Sequence, residues 1–435
     1  MTDSSAVILE RFRTGYGKDI DLTLRPAYRD FLAKLGDPHK NLPPVFHVAG
    51  TNGKGSTCAF LRAMLEAEGN RVHVYTSPHL ITFNERIRIA GELITENELA
   101  AILRECETLA TPGSVSYFEV STAAALVAFA RHAADYTILE VGLGGRLDAT
   151  NIIAKPLATL ITRLSFDHRE YLGDTMGAIA REKAGIMRAN VPCFTAPQPD
   201  SEALRALRQA ATDIGAPLSI GGIDWHVHEQ PGGFRFDDTK RQLDLPPPHL
   251  TGSHQYLNAG LAIAALTTLP HALPVQAIIQ GLEKVEWPAR LQRLTEGRLA
   301  ARMSPKIELW LDGGHNDSAG EVLAAQIEHW RIADGANPKP LYIVIGMLTT
   351  KRPAEFLGPF TSSIARLATV AMPHEPLSFT AAALAAEVRK LGIGDVTALE
   401  FQEMPTWAAE GDRPARLLIC GSLYLAGYVL SSSAH

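Results

Sequence analysis

Residues 45–57 read VFHVAGTNGKGST. A short apolar run, Val45 to Ala49, stops at Gly50. Lys54 then stands between Gly53 and Gly55, ahead of Ser56 and Thr57. Glycines let backbone N–H groups approach phosphate oxygens, and the N-terminus of a following helix adds positive potential. Lys54 is placed to neutralise β- and γ-phosphates, and Ser56 or Thr57 to reach a magnesium ion. The spacing departs from G-x-x-x-x-G-K-[ST], because Gly55 separates the lysine from the hydroxyls. The order strand, lysine-bearing loop, helix weighs against a turn that binds nothing. A nucleotide site is the expectation.

Outward from this loop, strands and helices alternate. Residues 55–68 place Ala59, Phe60, Ala63, Met64 and Ala67 at helical spacing, with Gly69 as a C-cap. Strands are expected at 71–76, 136–141, 157–164 and 191–195, and helices at 96–109, 120–134 and 175–187. This rhythm predicts a mostly parallel sheet covered on both faces. WHVHEQPGGFRFDD, from Trp225, breaks the rhythm and reads as a hairpin around Pro231-Gly232-Gly233. Helices follow at 255–266 and 275–285. Strands at 307–311, 341–345, 367–371, 396–401 and 416–419 then restart the α/β pattern. The stretch 295–305 carries no strong pattern. The expected organisation is a larger α/β domain over 1–294, a linker at 295–305, and a smaller α/β domain over 306–435.

With 435 residues the chain is long enough for two or three domains. Its 46% hydrophobic and 20% charged residues are those of an ordinary globular protein. A net charge of −6 gives no electrostatic footprint for nucleic acid. The four cysteines, Cys58, Cys106, Cys193 and Cys420, are scattered, which argues against a disulfide framework or a cysteine zinc site. No apolar run is long enough to span a bilayer. The N-terminus has too short an apolar stretch for a signal peptide. A cytoplasmic protein without membrane or nucleic-acid partners is expected.

Four further motifs carry chemistry. In EVGLGGRLDATN (140–151) a carboxylate, Glu140, ends a buried strand where α/β sheets bind ligands. It reads equally as a metal carboxylate or as a partner of a nearby Arg or Lys. The glycines do not lead into a helix in the order a dinucleotide fold needs, which excludes NAD. In TRLSFDHREYLG (162–173), His168 is either a metal ligand or one half of a capping pair with Asp167. In REKAGIM (181–187), Lys183 lies on a helix and by itself reads as solvated. In YTSPHLITFNERIRI (75–89), Ser77 ends a strand and is either a magnesium ligand or a turn serine. His226 and His228 share one strand face, which without a third ligand reads as surface polarity.

Taken together, HVAGTNGKGST, YTSPHL with FNERI, YFE, EVGLGGRLDATN, REKAGI, GSHQYLNA, LDGGHN and CGSLYLAG resemble the dihydrofolate synthase and folylpolyglutamate synthase family of Mur ligases, in the family's order from His47 to Gly427. The resemblance implies a Mur ligase-like P-loop domain of mostly parallel sheet and a Rossmann-like α/β C-terminal domain. It implies an ATP-dependent ligase of folate and one-carbon metabolism. Such an enzyme joins L-glutamate to dihydropteroate, and to the glutamyl tail of a reduced folate, through an acyl phosphate. ATP and Mg2+ are the implied cofactors, and a monomer the implied state. By the same resemblance, Gly53, Lys54, Gly55 and Ser56 hold ATP phosphates. Ser77 and Glu140 hold one magnesium, His168 a second, and Lys183 is the lysine carbamylated in this family. Asn258, Arg290, Asp312 and His315 reach the nucleotide. Ser116, Tyr117, Phe118 and Glu119, with Leu147, Asp148 and Ala149, line the pterin site. Both domains complete the ATP site, and closure excludes water from the acyl phosphate.

The chain departs from the family in three places. Ala289 stands where Pro-Gly-Arg has glycine, so the backbone must tolerate a β-carbon. Gly314 and Asp317 replace the usual residues of Asp-Gly-Ala-His-Asn-Pro. Thr350 and Arg352 replace acids in GMLTTKR. Two rival readings are a Mur-type ligase acting on a cell-wall precursor and a non-catalytic nucleotide-binding module. Against the first stands the absence of a recognisable uridine-nucleotide-binding domain before the loop, which starts early, at Gly50. The second leaves Lys54, Glu140, His168 and Lys183 without a purpose.

Overall fold

The computed structural model describes residues 3–15, 26–373, 375–410 and 412–433. It divides into two units, residues 1–249 with 255–285, and residues 250–254 with 286–435.

The first unit is built on eight strands: β1 (Val45–Ala49), β2 (Val72–Tyr75), β3 (Ile87–Ile89), β4 (Glu92–Leu93), β5 (Tyr136–Glu140), β6 (Ala158–Ile161), β7 (Cys193–Thr195) and β8 (Leu218–Ile220). Their order across the sheet is β4-β3-β2-β5-β1-β6-β7-β8. The strands from β2 to β8 in that order run parallel, and β3 and β4 close one edge antiparallel. β1 is buried at all five positions between β5 and β6. The chain leaves β1 toward β2 on one side, and later passes from β5 to β6 across it. The carboxyl end of β1 is thus a topological switch point, where open α/β sheets bind ligands.

Local chemistry explains several helix starts. Gly53 (φ 89) is the N-cap of Lys54–Ala67. Ser116 and Glu119 form a reciprocal capping box on Tyr117–Arg131. Helix Ser5–Gly15 and helix Pro26–Lys34 precede the first strand. Ile8, Phe12, Tyr28, Phe31 and Leu32 from this segment enter the same core as Val120–Phe129. The β3–β4 hairpin turns through Ala90 and Gly91, both at positive φ (48 and 100).

The expected hairpin is present and gains a third strand. β9 (Trp225–Gln230), β10 (Gly233–Asp238) and β11 (Gln242–Leu245) form an antiparallel sheet. A β-carbon on Gly233 would lie 2.0 Å from the Leu245 carbonyl oxygen, which only glycine avoids. His226 and His228 both face Asp237, at 3.6 and 3.3 Å.

The second unit holds β12 (Gln292–Arg293), β13 (Ile307–Leu311), β14 (Leu341–Ile345), β15 (Ile364–Thr369), β16 (Val396–Ala398) and β17 (Ala415–Cys420), in the order β12-β13-β17-β14-β15-β16. All but the edge strand β12 are parallel. This is the smaller α/β body expected. The linker expected at 295–305 is not one. Residues Gly297–Arg302 are helical, Leu299 is buried, and this helix packs on Leu423–Ser433. The division falls instead at residue 285, because β12 already pairs with β13. All four cysteines are buried and none is in a disulfide. Among the described residues, no helix is long and apolar enough to cross a membrane.

Candidate functional site

The residues singled out in the first unit converge on the carboxyl ends of β1, β2, β5 and β6. Gly50 (φ 145) would drive a β-carbon to 1.8 Å from Thr162 Oγ1, so the turn after β1 requires glycine. Lys54 Nζ donates to the Thr51 carbonyl at 3.3 Å. Thr51 and Asn52 donate their backbone N–H groups to the Arg163 carbonyl, each at 3.2 Å. Asn52 Nδ2 also reaches Ser165 Oγ at 3.2 Å. The phosphate loop is thereby zipped to the loop that carries Asp167 and His168. His168 adopts φ 50 at the head of the short helix Arg169–Leu172, and its side chain is 41% exposed.

Glu140 ends β5 and is buried. One of its carboxylate oxygens accepts the Ser77 N–H at 3.3 Å. This carboxylate and the Ser77 hydroxyl offer hard oxygen donors, which suit Mg2+, an ion that keeps several waters and needs few protein ligands. Among the described residues, no group of three or more His, Cys, Asp or Glu side chains is arranged to hold a metal ion. The fit to magnesium rests on these two oxygen donors alone.

Lys183 is not the solvated lysine its helix position suggested. It is 4% exposed, and its Nζ donates to the Gly50 carbonyl at 2.8 Å. Burial, with the Lys54 cation as a second cause, lowers its pKa to about 7. Its helix is locked to the loop after β5. A β-carbon on Gly145 would meet the Glu182 carbonyl at 2.8 Å, and one on Gly185 would meet Arg146 Cα at 2.4 Å. Arg146 N donates to the Glu182 carbonyl at 2.8 Å. Asn151 Nδ2 reaches the Arg146 and Gly185 carbonyls, both at 3.0 Å.

Helix Ser253–Ala265 supplies Asn258. A β-carbon on Gly53 would lie 2.4 Å from Asn258 Oδ1, which puts this amide against the phosphate loop. Gln255, one turn earlier and fully buried, was not singled out from the sequence. It accepts from Asn258 Nδ2 at 3.0 Å and donates to Ser56 Oγ at 3.4 Å. The i, i+3 spacing of two amides on one helix was the available signal.

In the pterin-assigned segments, Glu119 and Ser116 are engaged in their capping box, at 2.6 and 3.2 Å. The Phe118 ring lies over Gly142, where a β-carbon would be 2.2 Å from Cζ. Leu147 and Ala149 flank Asp148, which is 3% exposed. Burial raises the Asp148 pKa, and hydrogen bonds from its own loop oppose that rise.

Arg290, Asp312 and His315 belong to the second unit. There Asp312 accepts the Leu291 N–H at 2.9 Å and the Gly314 N–H at 2.7 Å. Its carboxyl is pushed up by burial and held back by Arg290. Arg290 Nη1 donates to the Ala289 carbonyl at 2.9 Å, and His315 Nδ1 lies 3.2 Å from the Gly313 carbonyl. Ala289 is fully buried at φ 58, a left-handed conformation that costs an L-residue roughly 1–2 kcal/mol. Its N–H donates to Gln292 Oε1 and its carbonyl accepts from Gly313, both at 2.9 Å, which over-determines the strain. Of the other departures, Asp317 accepts the Ser318 N–H at 2.6 Å, and Arg352 pairs with Glu355 on the surface at 2.8 Å.

Residues 48–266 match the Mur ligase middle domain. A dihydrofolate synthase/folylpolyglutamate synthase of Escherichia coli is 34% identical over 95% of this chain and 92% of its own length. The chain belongs to the dihydrofolate synthase/folylpolyglutamate synthase family of Mur ligases. It is an ATP-dependent ligase of folate metabolism. A family structure, Escherichia coli FolC in complex with DHPP and ADP, has a TM-score of 0.86 at 32% identity, covering 99% of this chain and 97% of that one. Another family member, a bifunctional enzyme with Mn, AMPPNP and L-glutamate bound, has a TM-score of 0.85 at 31% identity, covering 99% and 98%.

Proposed function

We propose that this ligase joins L-glutamate to dihydropteroate and to the glutamyl tail of reduced folates, both through an acyl phosphate. The observation that carries this reading is the convergence of Lys54, Glu140 and buried Lys183 at the switch point of the sheet. A carboxylate is a poor electrophile because its leaving oxygen is bad. Its oxygen attacks the γ-phosphorus of ATP and ADP departs. The glutamate nitrogen then attacks the acyl carbon, loses a proton, and expels phosphate. Gly53, Lys54, Gly55 and Ser56 cradle the phosphates, and Asn258 braces that loop. Ser77 and Glu140 would hold one Mg2+ and His168 a second, and the bound ions would offset phosphate charge. Lys183, with a pKa of about 7, keeps much of its amine neutral at working pH. A neutral amine adds to the carbon of CO2 and releases a proton. The resulting carbamate is a carboxylate-like group beside the phosphate loop. Ser116–Glu119 and Leu147–Ala149 line the pteroate site on this reading.

We infer that the enzyme works in the cytoplasm as a monomer. Four buried, unpaired thiols suit a reducing compartment.

The test is phosphate release with ATP and magnesium, adding dihydropteroate and L-glutamate singly and then together. Release should require both, and tetrahydrofolate should replace dihydropteroate for the second activity. Release indifferent to glutamate would falsify the ligase reading.

A further inference from the structure

His47 lies in the middle of β1, 1% exposed, and no step of the reaction uses it. Its Nε2 is 2.8 Å from Thr150 Oγ1. Thr150 Oγ1 gives its single proton to Asp148 Oδ1 at 2.6 Å, so the imidazole must be the donor to the hydroxyl. Burial holds the His47 pKa at about 3, so the ring stays neutral at working pH. Asp148 Oδ1 also accepts the Thr150 N–H at 2.9 Å. Asp148 Oδ2 accepts the Gly142 and Leu143 N–H groups at 3.1 and 2.9 Å. A carboxylate has about four acceptor sites, and the loop's own donors fill them. Asp148 therefore shapes the loop. Gly142, held by Asp148, is the surface on which the Phe118 ring rests. One line of contacts runs from the phosphate strand through Thr150 and Asp148 to both substrate-assigned segments.

We propose that His47 is a positioning residue for the pteroate substrate: by donating to Thr150 it fixes Asp148, the Gly142–Leu143 turn and the Phe118 ring. This rests on the reading that the segments around Phe118 and Asp148 line the pteroate site. A histidine that only filled the core would be replaceable by an apolar ring.

The experiment uses the full chain carrying His47→Phe, Thr150→Val, both together, His47→Gln, and separately Phe118→Ala. Dihydropteroate binding is measured by fluorescence titration without ATP, beside KM for dihydropteroate, ATP and glutamate. His47→Phe and Thr150→Val should each weaken dihydropteroate on the order of tenfold, the weight of one buried hydrogen bond. KM for ATP should stay within about twofold. The double variant should be no worse than the worse single variant, since both cut one chain. His47→Gln, which keeps a donor, should recover most of the loss. Additive losses, parallel rises in both KM values, or unchanged dihydropteroate affinity overturn the proposal. Thr150→Val reads the same line of contacts should His47→Phe fail to fold. If Phe118→Ala weakens dihydropteroate while the His47 and Thr150 variants do not, the His47 assignment falls and the substrate site stands. If Phe118→Ala is also without effect, the substrate site itself is wrong.

Discussion

Burial pushes the Lys183 ammonium down to a pKa of about 7, and the nearby Lys54 cation adds to the shift. This has a consequence for stability. The ordinary lysine pKa is 10.5, and in the folded chain it is about 7. Between those values the unfolded chain holds a proton that the folded chain does not. Stability therefore rises with pH across that window. Below about 7 both states are protonated, and the cost of the buried charge is fully present. In CO2-free buffer, denaturant unfolding of the wild type and of Lys183→Met should differ in pH slope from about 7 to 10.5, whatever their absolute stabilities. Identical slopes would mean that Lys183 keeps an ordinary pKa. The same residue shows how little sequence says about burial. A lysine on a helix is exposed by default. Only the Gly145–Glu182 and Gly185–Arg146 approaches, which are tertiary, put this one inside.

Those approaches are the central event among the elements. The loop after β5 and the end of helix Met176–Ala184 meet backbone to backbone, so EVGLGGRLDATN and REKAGI are two halves of one contact. Gly185→Ala would set a β-carbon 2.3 Å from Arg146 Cβ. Overpacking of this kind costs about 1–3 kcal/mol. Chemical denaturation should show a loss of that size, and an unchanged midpoint would mean that the loop moves aside freely. Elements with clear punctuation were legible in the sequence. Glu96–Leu109, Ile307–Leu311 and Leu341–Ile345 stand where periodicity placed them. Gly297–Arg302 was not, because six residues are under two turns and only Leu299 is buried to mark a face. The helix expected at 120–134 begins three residues earlier, at Tyr117, because Ser116 and Glu119 cap it, a signal hidden by their assignment to substrate. His47 was hidden because a strand buried on both faces shows no alternation against which a polar residue stands out. The part played by Asp148 was unreadable because its partners are mostly backbone groups.

At the scale of the whole molecule, the motifs predicted the α/β architecture and the phosphate loop's place in it, since a lysine-bearing loop after a strand has one natural position in an open sheet. The division between units was displaced because β12 is two residues long and carries no pattern of its own. Each unit has its own buried apolar cluster. The buried thiols are distributed between them, with Cys58, Cys106 and Cys193 in the first unit and Cys420 in the second. A thiol reagent thus finds no target in the folded chain, and each sulfur becomes reactive only when the body around it opens. Labelling across a denaturant series, read by intact mass, should add three tags and one tag at different concentrations. Four tags arriving together would show that the two bodies open as one. The wild-type chain is, in effect, its own two-channel reporter of local opening, with no label to be engineered into it.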